Sequence, residues 1–299
     1  MSPMESSYAI TAVYKFFEVS DPEALQQQLL SKGEELEMLG LILVAKEGLN
    51  GTVAGSKEST DAFKTYLTSL IGEATFKDSP ADEIPFKRFM VKIRNEIVNI
   101  GDADMQPDGP NNHLSPTQWH DILSSDEDFV LLDARNDYET EIGVFKGAVD
   151  PKLEKFTDFP KYIEECDIPK DKKVLMYCTG GIRCEKASME MQRQGYKHVY
   201  QLDGGILKYI EEYPEEFFEG ECFVFDHRAA VDQKLESSTR YDLCPHCGDP
   251  GDQRMPCLEC KADAVVCVRC MPEEEHRTCS KNCAYIFSMK RHKAQKQSA

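Results

Sequence analysis

A cysteine and an arginine share one short glycine-containing loop, in the stretch CTGGIRCEKAS from Cys178 to Ser188. The run before it is typical of a strand and the run after it of a helix. Two glycines let successive backbone N–H groups surround an anion, and the start of a helix adds its positive dipole end. With the charge of Arg183, the loop predicts a catalytic Cys178 that is a thiolate near neutral pH. The expected anion-binding residues are Thr179, Gly180, Gly181 and Ile182.

Cys184 follows Arg183 directly and has two interpretations. It can resolve an oxidised or persulfidated Cys178 by forming a disulfide with it, because both cysteines lie on one short loop. It can instead be a small buried residue at the start of the helix. Cys166 and Cys222 have no cysteine close to them in the sequence, and we expect both to be packed thiols.

Eight further cysteines form four closely spaced pairs after residue 243. A two-residue spacer lets both thiolates of a pair reach one tetrahedral zinc ion. Eight ligands suffice for two structural Zn²⁺ ions, and iron–sulfur clusters are the alternative because the same thiolates bind them. The sequence leaves open whether the pairs combine in order or interleave, and His246 and His276 are possible substitute ligands. The predicted ligands are Cys244, Cys247, Cys257, Cys260, Cys267, Cys270, Cys279 and Cys283.

The composition of the 299 residues, with 41% hydrophobic and 29% charged, is that of an ordinary globular protein of two or three domains. No apolar run is long enough to span a membrane, and the first residues lack the pattern of a secretory signal, so we expect a cytoplasmic protein without a membrane partner. The net charge of −18 argues against a general nucleic-acid coating protein, but it permits a local basic groove.

The first segment, residues 1–105, has the pattern of a small α+β domain. Its strand and helix signals follow the order βαββαβ, which is that of a ferredoxin-like (acylphosphatase-like) domain. We expect the first helix to begin at Pro22 with Asp21 as its cap, a turn at Asn50-Gly51, and the last strand in FMVKIRNEIVNI.

Two cations alternate with apolar residues in that last strand. Alternation places Lys92 and Arg94 on one face of the sheet. They form either an ordinary solvent-facing pair or a strip that contacts phosphate groups.

The second segment, residues 114–220, alternates short apolar strands with helices, which predicts a doubly wound parallel sheet and makes the chain α/β overall. A linker rich in Pro, Gly, Asn and Asp precedes it, and Ser115 is expected to cap its first helix. Reactive groups in such sheets lie at the carboxyl ends of strands. Asp133 and Arg135 end one strand and Cys178 ends another, so we expect the first two to be auxiliary groups at the site.

Four fragments of this segment, CTGGIRC, LLDAR, YETEIGVFKGA and LDGGI, resemble the rhodanese (sulfurtransferase) family. Cysteine-dependent phosphatases have one more residue between Cys and Arg, whereas only four residues separate Cys178 from Arg183 here. The smaller loop of the rhodanese family suits a sulfane sulfur on the cysteine. Val144 departs from the family, because many rhodaneses have His at this position.

The flanking segments make the resemblance more specific. KEGLNGTVAG and KIRNEIV before the loop, and CFVFDHR and the cysteine-rich end after it, are similar to the rhodanese-domain tRNA uridine hydroxylases over nearly the whole chain. The resemblance implies an enzyme that uses O₂ to make 5-hydroxyuridine at the wobble position, with tRNA bound through its anticodon region. It places the essential cysteine at Cys178, with Arg183 and Cys184 beside it. It also places residues 47–52 at a turn that is either a simple hairpin or a contact with the rhodanese domain.

The domain organisation that follows is a ferredoxin-like domain at 1–105, a catalytic rhodanese domain at 114–220, a connector at 221–243, a small cysteine-rich zinc-binding module at 244–283 and a basic tail at 284–299. Lys290 and Arg291, with Lys293 and Lys296, either contact tRNA or belong to a disordered tail. No GxGxxG pattern occurs, so no flavin or NAD site is expected.

Two other classes of function compete with the hydroxylase. A sulfurtransferase would carry a persulfide on Cys178 to a tRNA or protein acceptor. A non-catalytic scaffold would bind protein through its zinc-binding end. The activated loop argues against the scaffold, but loop chemistry does not separate the hydroxylase from the sulfurtransferase.

Overall fold

The computed structural model describes residues 8–81, 83–107 and 112–297. Parts of three predictions lie outside the described residues: the start of the first domain at 1–7, the middle of the linker at 108–111, and the last two residues of the tail.

The N-terminal unit is a five-stranded sheet with two helices. Asp21 caps the first helix by accepting a hydrogen bond from the backbone N–H of Ala24 at 2.9 Å, as expected. Leu29 and Phe63 from the two helices pack against Ile42 of the sheet and form the core. The elements are β1 (Tyr8–Phe16), α1 (Pro22–Glu35), β2 (Leu39–Ala45), β3 (Gly48–Ser56), α2 (Lys57–Ile71), β4 (Phe76–Ala81) and β5 (Phe89–Ile93).

The predicted last strand of this unit is wrong in two respects. The sheet order is β4-β1-β3-β2-β5, and the strand that completes the ferredoxin-like pattern beside β1 is β4, which the sequence did not predict. The predicted strand is a fifth one, β5, which runs parallel to β2 at the opposite edge and ends at Ile93. The strand β4 was missed because its sequence FKDSPA contains residues typical of turns, which an edge strand tolerates.

The turn predicted at Asn50-Gly51 is also wrong, because β2 and β3 turn at Lys46 and Glu47. Asn50 and Gly51 lie inside β3. A Cβ atom on Gly51 would lie 2.6 Å from the carbonyl oxygen of Leu41, so this glycine allows close packing of two strands and not a turn.

The central unit is a four-stranded parallel sheet in the order β6-β10-β9-β7, with helices on both faces, as the doubly wound prediction requires. Met176 of β9 packs with α5 and α6 on one face, whereas Tyr177 packs with α3 and α7 on the other. Ser115 caps α3, as expected. The elements are β6 (His113–Leu114), α3 (Pro116–Leu123), β7 (Phe129–Asp133), α4 (Asp137–Thr140), β8 (Gly143–Phe145), α5 (Phe159–Glu165), β9 (Lys173–Tyr177), α6 (Ile182–Arg193), β10 (His198–Leu202), α7 (Gly205–Glu212) and β11 (Phe218–Gly220).

The C-terminal unit consists of short strand pairs and one long helix. The helix crosses residue 284, where a separate basic tail was predicted to begin, so the described part of that tail continues the helix. No helix in the described ranges is both long and apolar enough to cross a membrane. The elements are β12 (Cys222–Phe223), β13 (Ala230–Val231), β14 (Asp242–Leu243), β15 (Pro250–Gly251), β16 (Gln253–Pro256), β17 (Asp263–Val266) and α8 (Lys281–Gln297).

Candidate active site

The Cys178 loop connects β9 to α6 at the carboxyl edge of the parallel sheet. Gly181 adopts a φ of 98° at the start of α6, and its backbone N–H donates to the Cys178 sulfur at 3.0 Å. The backbone N–H of Ile206, in the first turn of α7, donates to the carbonyl oxygen of Cys178 at 3.0 Å. A Cβ atom on Gly205 would lie 2.6 Å from that same oxygen, which explains the glycine pair before α7. Two helix starts therefore fix the loop.

The surroundings of Cys178 favour the thiolate form of its side chain. Burial alone would raise its pKa, but the Cys184 thiol, the Arg183 guanidinium and the backbone N–H groups of residues 183 and 184 lower the pKa to about 5. Cys184 is fully buried in the core beneath the loop, and its own pKa is raised by burial and by the neighbouring Cys178 sulfur. Cys184 is thus both a core residue and a thiol that supports the Cys178 thiolate.

Glu139 binds Arg183 with both carboxylate oxygens. The two N–O distances are 2.5 and 2.6 Å, and the Thr179 hydroxyl donates to the same carboxylate at 3.0 Å. Burial would raise the pKa of Glu139, but the Arg183 charge lowers it, so the buried carboxylate stays ionised. Arg183 therefore has its guanidinium fixed by Glu139 and supplies charge to Cys178 from a set position.

Asp133 and Arg135 form a fully buried pair behind this arrangement. The guanidinium binds the Asp133 carboxylate, with an NH2–Oδ2 distance of 2.7 Å, and donates to the carbonyl oxygen of Gly143 at 2.6 Å. A longer bond of 3.4 Å reaches the carbonyl oxygen of Glu139. The pair thus holds the segment that carries Glu139, and its contacts are those of positioning residues.

The N-terminal unit covers the loop with residues that the sequence reasoning missed. The Lys77 amine of β4 donates to the carbonyl oxygen of Gly180, and it lies 5.2 Å from the ring centroid of Tyr14. The Tyr14 hydroxyl donates to Glu185 of α6 at 3.1 Å. Burial lowers the pKa of Lys77, and the Cys178 charge acts in the opposite direction. No local motif indicates these residues, because they come from another domain.

A buried ion-pair cluster centred on Lys186 of α6 also joins the N-terminal and central units. The Lys186 amine is completely buried and lies 2.7 Å from a carboxylate oxygen of Glu47 and 2.7 Å from one of Glu96. Glu47 is in the β2–β3 turn. Of the two interpretations of residues 47–52, this contact corresponds to the one with the central domain.

Three family models match successive parts of the chain. They are described as UPF0176 acylphosphatase like domain over residues 8–97, Rhodanese-like domain over residues 115–212, and Rhodanase C-terminal over residues 219–284. The predicted ferredoxin-like (acylphosphatase-like) and rhodanese folds are confirmed.

A curated relative from Bdellovibrio bacteriovorus, named tRNA uridine(34) hydroxylase, is 50% identical over 295 residues, which are 97% of this chain and 84% of the relative. This chain belongs to the tRNA uridine(34) hydroxylase family. Relatives of the same name from Acinetobacter baumannii and a Picosynechococcus species are 40% and 41% identical, over 91% and 90% of this chain and 88% and 93% of their own lengths. The resemblance to rhodanese-domain tRNA uridine hydroxylases is therefore confirmed.

In this member of the tRNA uridine(34) hydroxylase family the paired cysteines form two groups of four. One consists of Cys244, Cys247, Cys267 and Cys270, and the other of Cys257, Cys260, Cys279 and Cys283. The first pair thus combines with the third and the second with the fourth, which is the interleaved arrangement that the sequence left open.

The two cysteine groups have the dimensions of zinc sites. Sulfur atoms in each group lie within 4.8 Å of one another, and the contact between Cys247 and Cys267 is 3.4 Å. Tetrahedral Zn–S bonds of about 2.3 Å place sulfurs about 3.8 Å apart, so each group fits one Zn²⁺ ion. His246 and His276 belong to neither group and stack on each other, with ring centroids 4.7 Å apart.

The four cations predicted to contact tRNA lie in two pairs on different elements. Lys92 is on β5, and Arg94 follows that strand and donates to the carbonyl oxygen of Ile93 at 3.0 Å. Lys290 and Arg291, on α8, pair with Glu259 and Glu274 of the cysteine-rich module. These pairs are exposed, so they contribute little to stability.

Proposed function

We propose that this chain hydroxylates C5 of uridine 34, the wobble position, in the anticodon region of cytoplasmic tRNA, with O₂ as co-substrate and Cys178 as nucleophile. The observation that carries the proposal is a thiolate-forming Cys178 in a chain that matches a curated tRNA uridine(34) hydroxylase over 97% of its length. A thiolate at the carboxyl edge of a parallel sheet is placed where such folds bind substrates.

The proposed chemistry begins with a bond between the Cys178 sulfur and C6 of the uracil. The electron pair of the C5–C6 double bond moves onto C5 and O4, and C5 then bonds to one oxygen atom of O₂. An external two-electron donor and two protons convert the other oxygen atom to water. The C5 proton then moves to the oxygen on C5, the C5–H electron pair re-forms the C5–C6 double bond, and the S–C6 bond breaks, which releases 5-hydroxyuridine and restores the thiolate. Arg183, held by Glu139, stabilises that thiolate in the free enzyme.

Nucleoside mass spectrometry tests this proposal. tRNA from cells that lack the protein is compared after complementation with the natural sequence or with Cys178→Ala. We expect 5-hydroxyuridine or its derivatives to return only with the natural sequence. A covalent adduct between the protein and tRNA that contains 5-fluorouridine would support the bond to C6, and its absence under turnover conditions would count against that step.

The alternative function is a persulfide-carrying sulfurtransferase, and the four-residue spacing between Cys178 and Arg183 favours it as the second candidate. A thiolate of low pKa also accepts sulfur from thiosulfate. The same mass spectrometry separates the two functions, because a sulfur carrier would change a thiolated nucleoside and leave 5-hydroxyuridine unchanged.

We further propose that each cysteine group holds one structural Zn²⁺ ion, and that Lys92, Arg94, Lys290 and Arg291 contact tRNA phosphates. Metal analysis should give two zinc ions per chain, whereas visible absorbance near 400 nm would indicate iron–sulfur clusters instead. Replacing each cation with Gln should weaken tRNA binding and reduce the salt dependence of log Kd by about one unit per phosphate contact.

A further inference from the structure

An exposed aromatic ring lies beside Arg183. The Phe225 residue is 61% exposed, whereas Cys178 is 1% exposed. The Arg183 guanidinium lies 5.7 Å from the centroid of the Phe225 ring. The ring of Phe223 contacts Phe225 edge-on at 5.0 Å, and Tyr138 contacts Phe223 at 5.2 Å. Phe225 is thus the outermost of three rings at the surface next to the Cys178 loop.

The fold keeps this ring exposed. The neighbouring residues Val224 and Asp226 are both buried, and the backbone N–H of Val224 donates to the carbonyl oxygen of Ala229 at 2.9 Å. The Asp226 carboxylate accepts bonds from the backbone N–H and the guanidinium of Arg228, between 2.6 and 3.1 Å. A turn fixed in this way holds the Phe225 ring towards solvent, because the adjacent side chains fill the interior.

The turn is also tied to the N-terminal domain. The backbone N–H of His227 donates to the carbonyl oxygen of Pro85 at 3.2 Å. The ring therefore has a fixed position relative to both domains that surround Cys178. Proteins that bind single-stranded nucleic acids stack unpaired bases on exposed aromatic side chains such as this one.

We infer that Phe225 is a stacking platform for a nucleobase that flanks the target uridine in the single-stranded anticodon loop, an inference that rests on the proposed function. The target base must leave the stack to reach a sulfur that is 1% exposed, so its neighbour stays at the surface where Phe225 lies. Stacking also supplies affinity that depends little on salt, which a chain with a net charge of −18 needs.

The test compares Phe225→Ala, Phe225→Leu and Phe225→Trp in the full-length protein. The matched control is Tyr8→Ala, because Tyr8 is 36% exposed on β1 and lies six residues, or about 20 Å along the strand, from Tyr14 at the loop. The probe is an unmodified tRNA transcript with 2-aminopurine at position 33 or 35, whose fluorescence falls when the base stacks.

We expect the natural protein and Tyr8→Ala to quench the probe at one flanking position. Phe225→Ala and Phe225→Leu should lose this quenching and bind tRNA about 10-fold more weakly, with an unchanged slope of log Kd against log salt. Phe225→Trp should keep both the quenching and the tRNA affinity of the natural protein. In the hydroxylation assay Phe225→Ala should raise KM and leave kcat nearly unchanged, because the ring does not touch the reacting base.

Four results would overturn the inference while the proposed function stands. The first is that the natural protein quenches 2-aminopurine at neither position, and the second is that Phe225→Leu quenches and binds as well as the natural protein. The third is that Phe225→Ala binds tRNA with unchanged affinity. The fourth is that Phe225→Ala changes the oligomeric state, which would show that a second chain covers the ring. If instead the natural protein neither binds nor hydroxylates tRNA, the proposed function fails first, and the stacking site fails with it.

Discussion

The Cys178 pKa is lowered by the Cys184 thiol, the Arg183 guanidinium and nearby backbone N–H groups. Of these, the Cys184 thiol can be removed by substitution without adding or deleting a charge. This thiol donates to the Cys178 sulfur, and this donation lowers the Cys178 pKa against the effect of burial. We predict that thiolate absorbance at 240 nm, measured as the difference between the natural protein and Cys178→Ala, titrates with a midpoint near pH 5. In Cys184→Ala the midpoint should move upward. A midpoint of pH 8 to 9 in the natural protein would contradict the proposed activation.

Glu139 is buried opposite Arg183, and its replacement by Gln should have two measurable effects. Loss of one partner of a buried ion pair costs about 3–5 kcal/mol of unfolding free energy. The Arg183 charge is then no longer balanced by Glu139, so the midpoint of the Cys178 titration should move below that of the natural protein.

The control for Glu139→Gln is Glu127→Gln, in the same domain. Glu127 pairs with Lys173 but its side chain is 52% exposed, so this change should cost less than about 1 kcal/mol and leave the titration unchanged. Equal destabilisation by the two variants would mean that the Glu139–Arg183 pair is not the supporting contact.

The predictability of the site residues followed their distance along the chain. Cys178 and Arg183 share one loop, so the spacing of residue types was sufficient. Glu139 reaches Arg183 from 44 residues away, and Lys77 reaches Gly180 from 103 residues away. No local pattern encodes such contacts, because they depend on how strands and domains pack.

At the scale of elements, one missed strand explains one missed residue. The sequence FKDSPA has the composition of a turn, and only its pairing with β1 makes it the strand β4. Lys77 lies in that strand, so it was not recognised as part of the site. In contrast, α1 and α3 were predicted with their caps because Asp21-Pro22 and Ser115-Pro116 are local signals.

The helix α6 is joined to the N-terminal domain through Lys186, and Lys186→Met should weaken that junction. The substitution leaves Glu47 and Glu96 facing each other without a cation. Burial already raises the pKa of Glu47, and Lys186, which opposes that rise, would be gone. A carboxyl group whose folded-state pKa is raised stabilises the fold at low pH, and this contribution is lost as the pH rises through that pKa.

We therefore predict that urea denaturation of Lys186→Met shows a loss of about 3–5 kcal/mol at pH 8 and a smaller loss at pH 6. Lys208→Met removes an exposed partner of Asp203 and should cost less than about 1 kcal/mol at both pH values. If Lys186→Met loses the same unfolding free energy at pH 6 and at pH 8, neither Glu47 nor Glu96 binds a proton between these two pH values, and the prediction is wrong.

At the scale of the whole molecule, all three units contact either the Cys178 loop with α6 or the segment that carries Glu139. The N-terminal domain contributes Lys77 and Tyr14, and the central domain contributes Glu139 and Arg183. The cysteine-rich module contributes Arg269, which lies between Cys267 and Cys270 and binds Asp137 at 3.0 Å and Glu141 at 2.9 Å. These two acids flank Glu139. The module therefore binds the segment from which Glu139 contacts Arg183.

Metal removal should therefore loosen a segment that contains no metal ligand. If one Zn²⁺ ion fixes Cys267 and Cys270, a chelator frees Arg269, and backbone hydrogen exchange in residues 137–143 should rise at least several-fold. Arg269→Ala should produce the same rise while it retains two zinc ions per chain. Arg254→Ala is the control, because it breaks the pair between the module and Asp242 of the connector and touches neither α4 nor a cysteine group. If exchange in residues 137–143 is unchanged after chelation, the module and the site are independent, and the Arg269 contacts do not position Glu139.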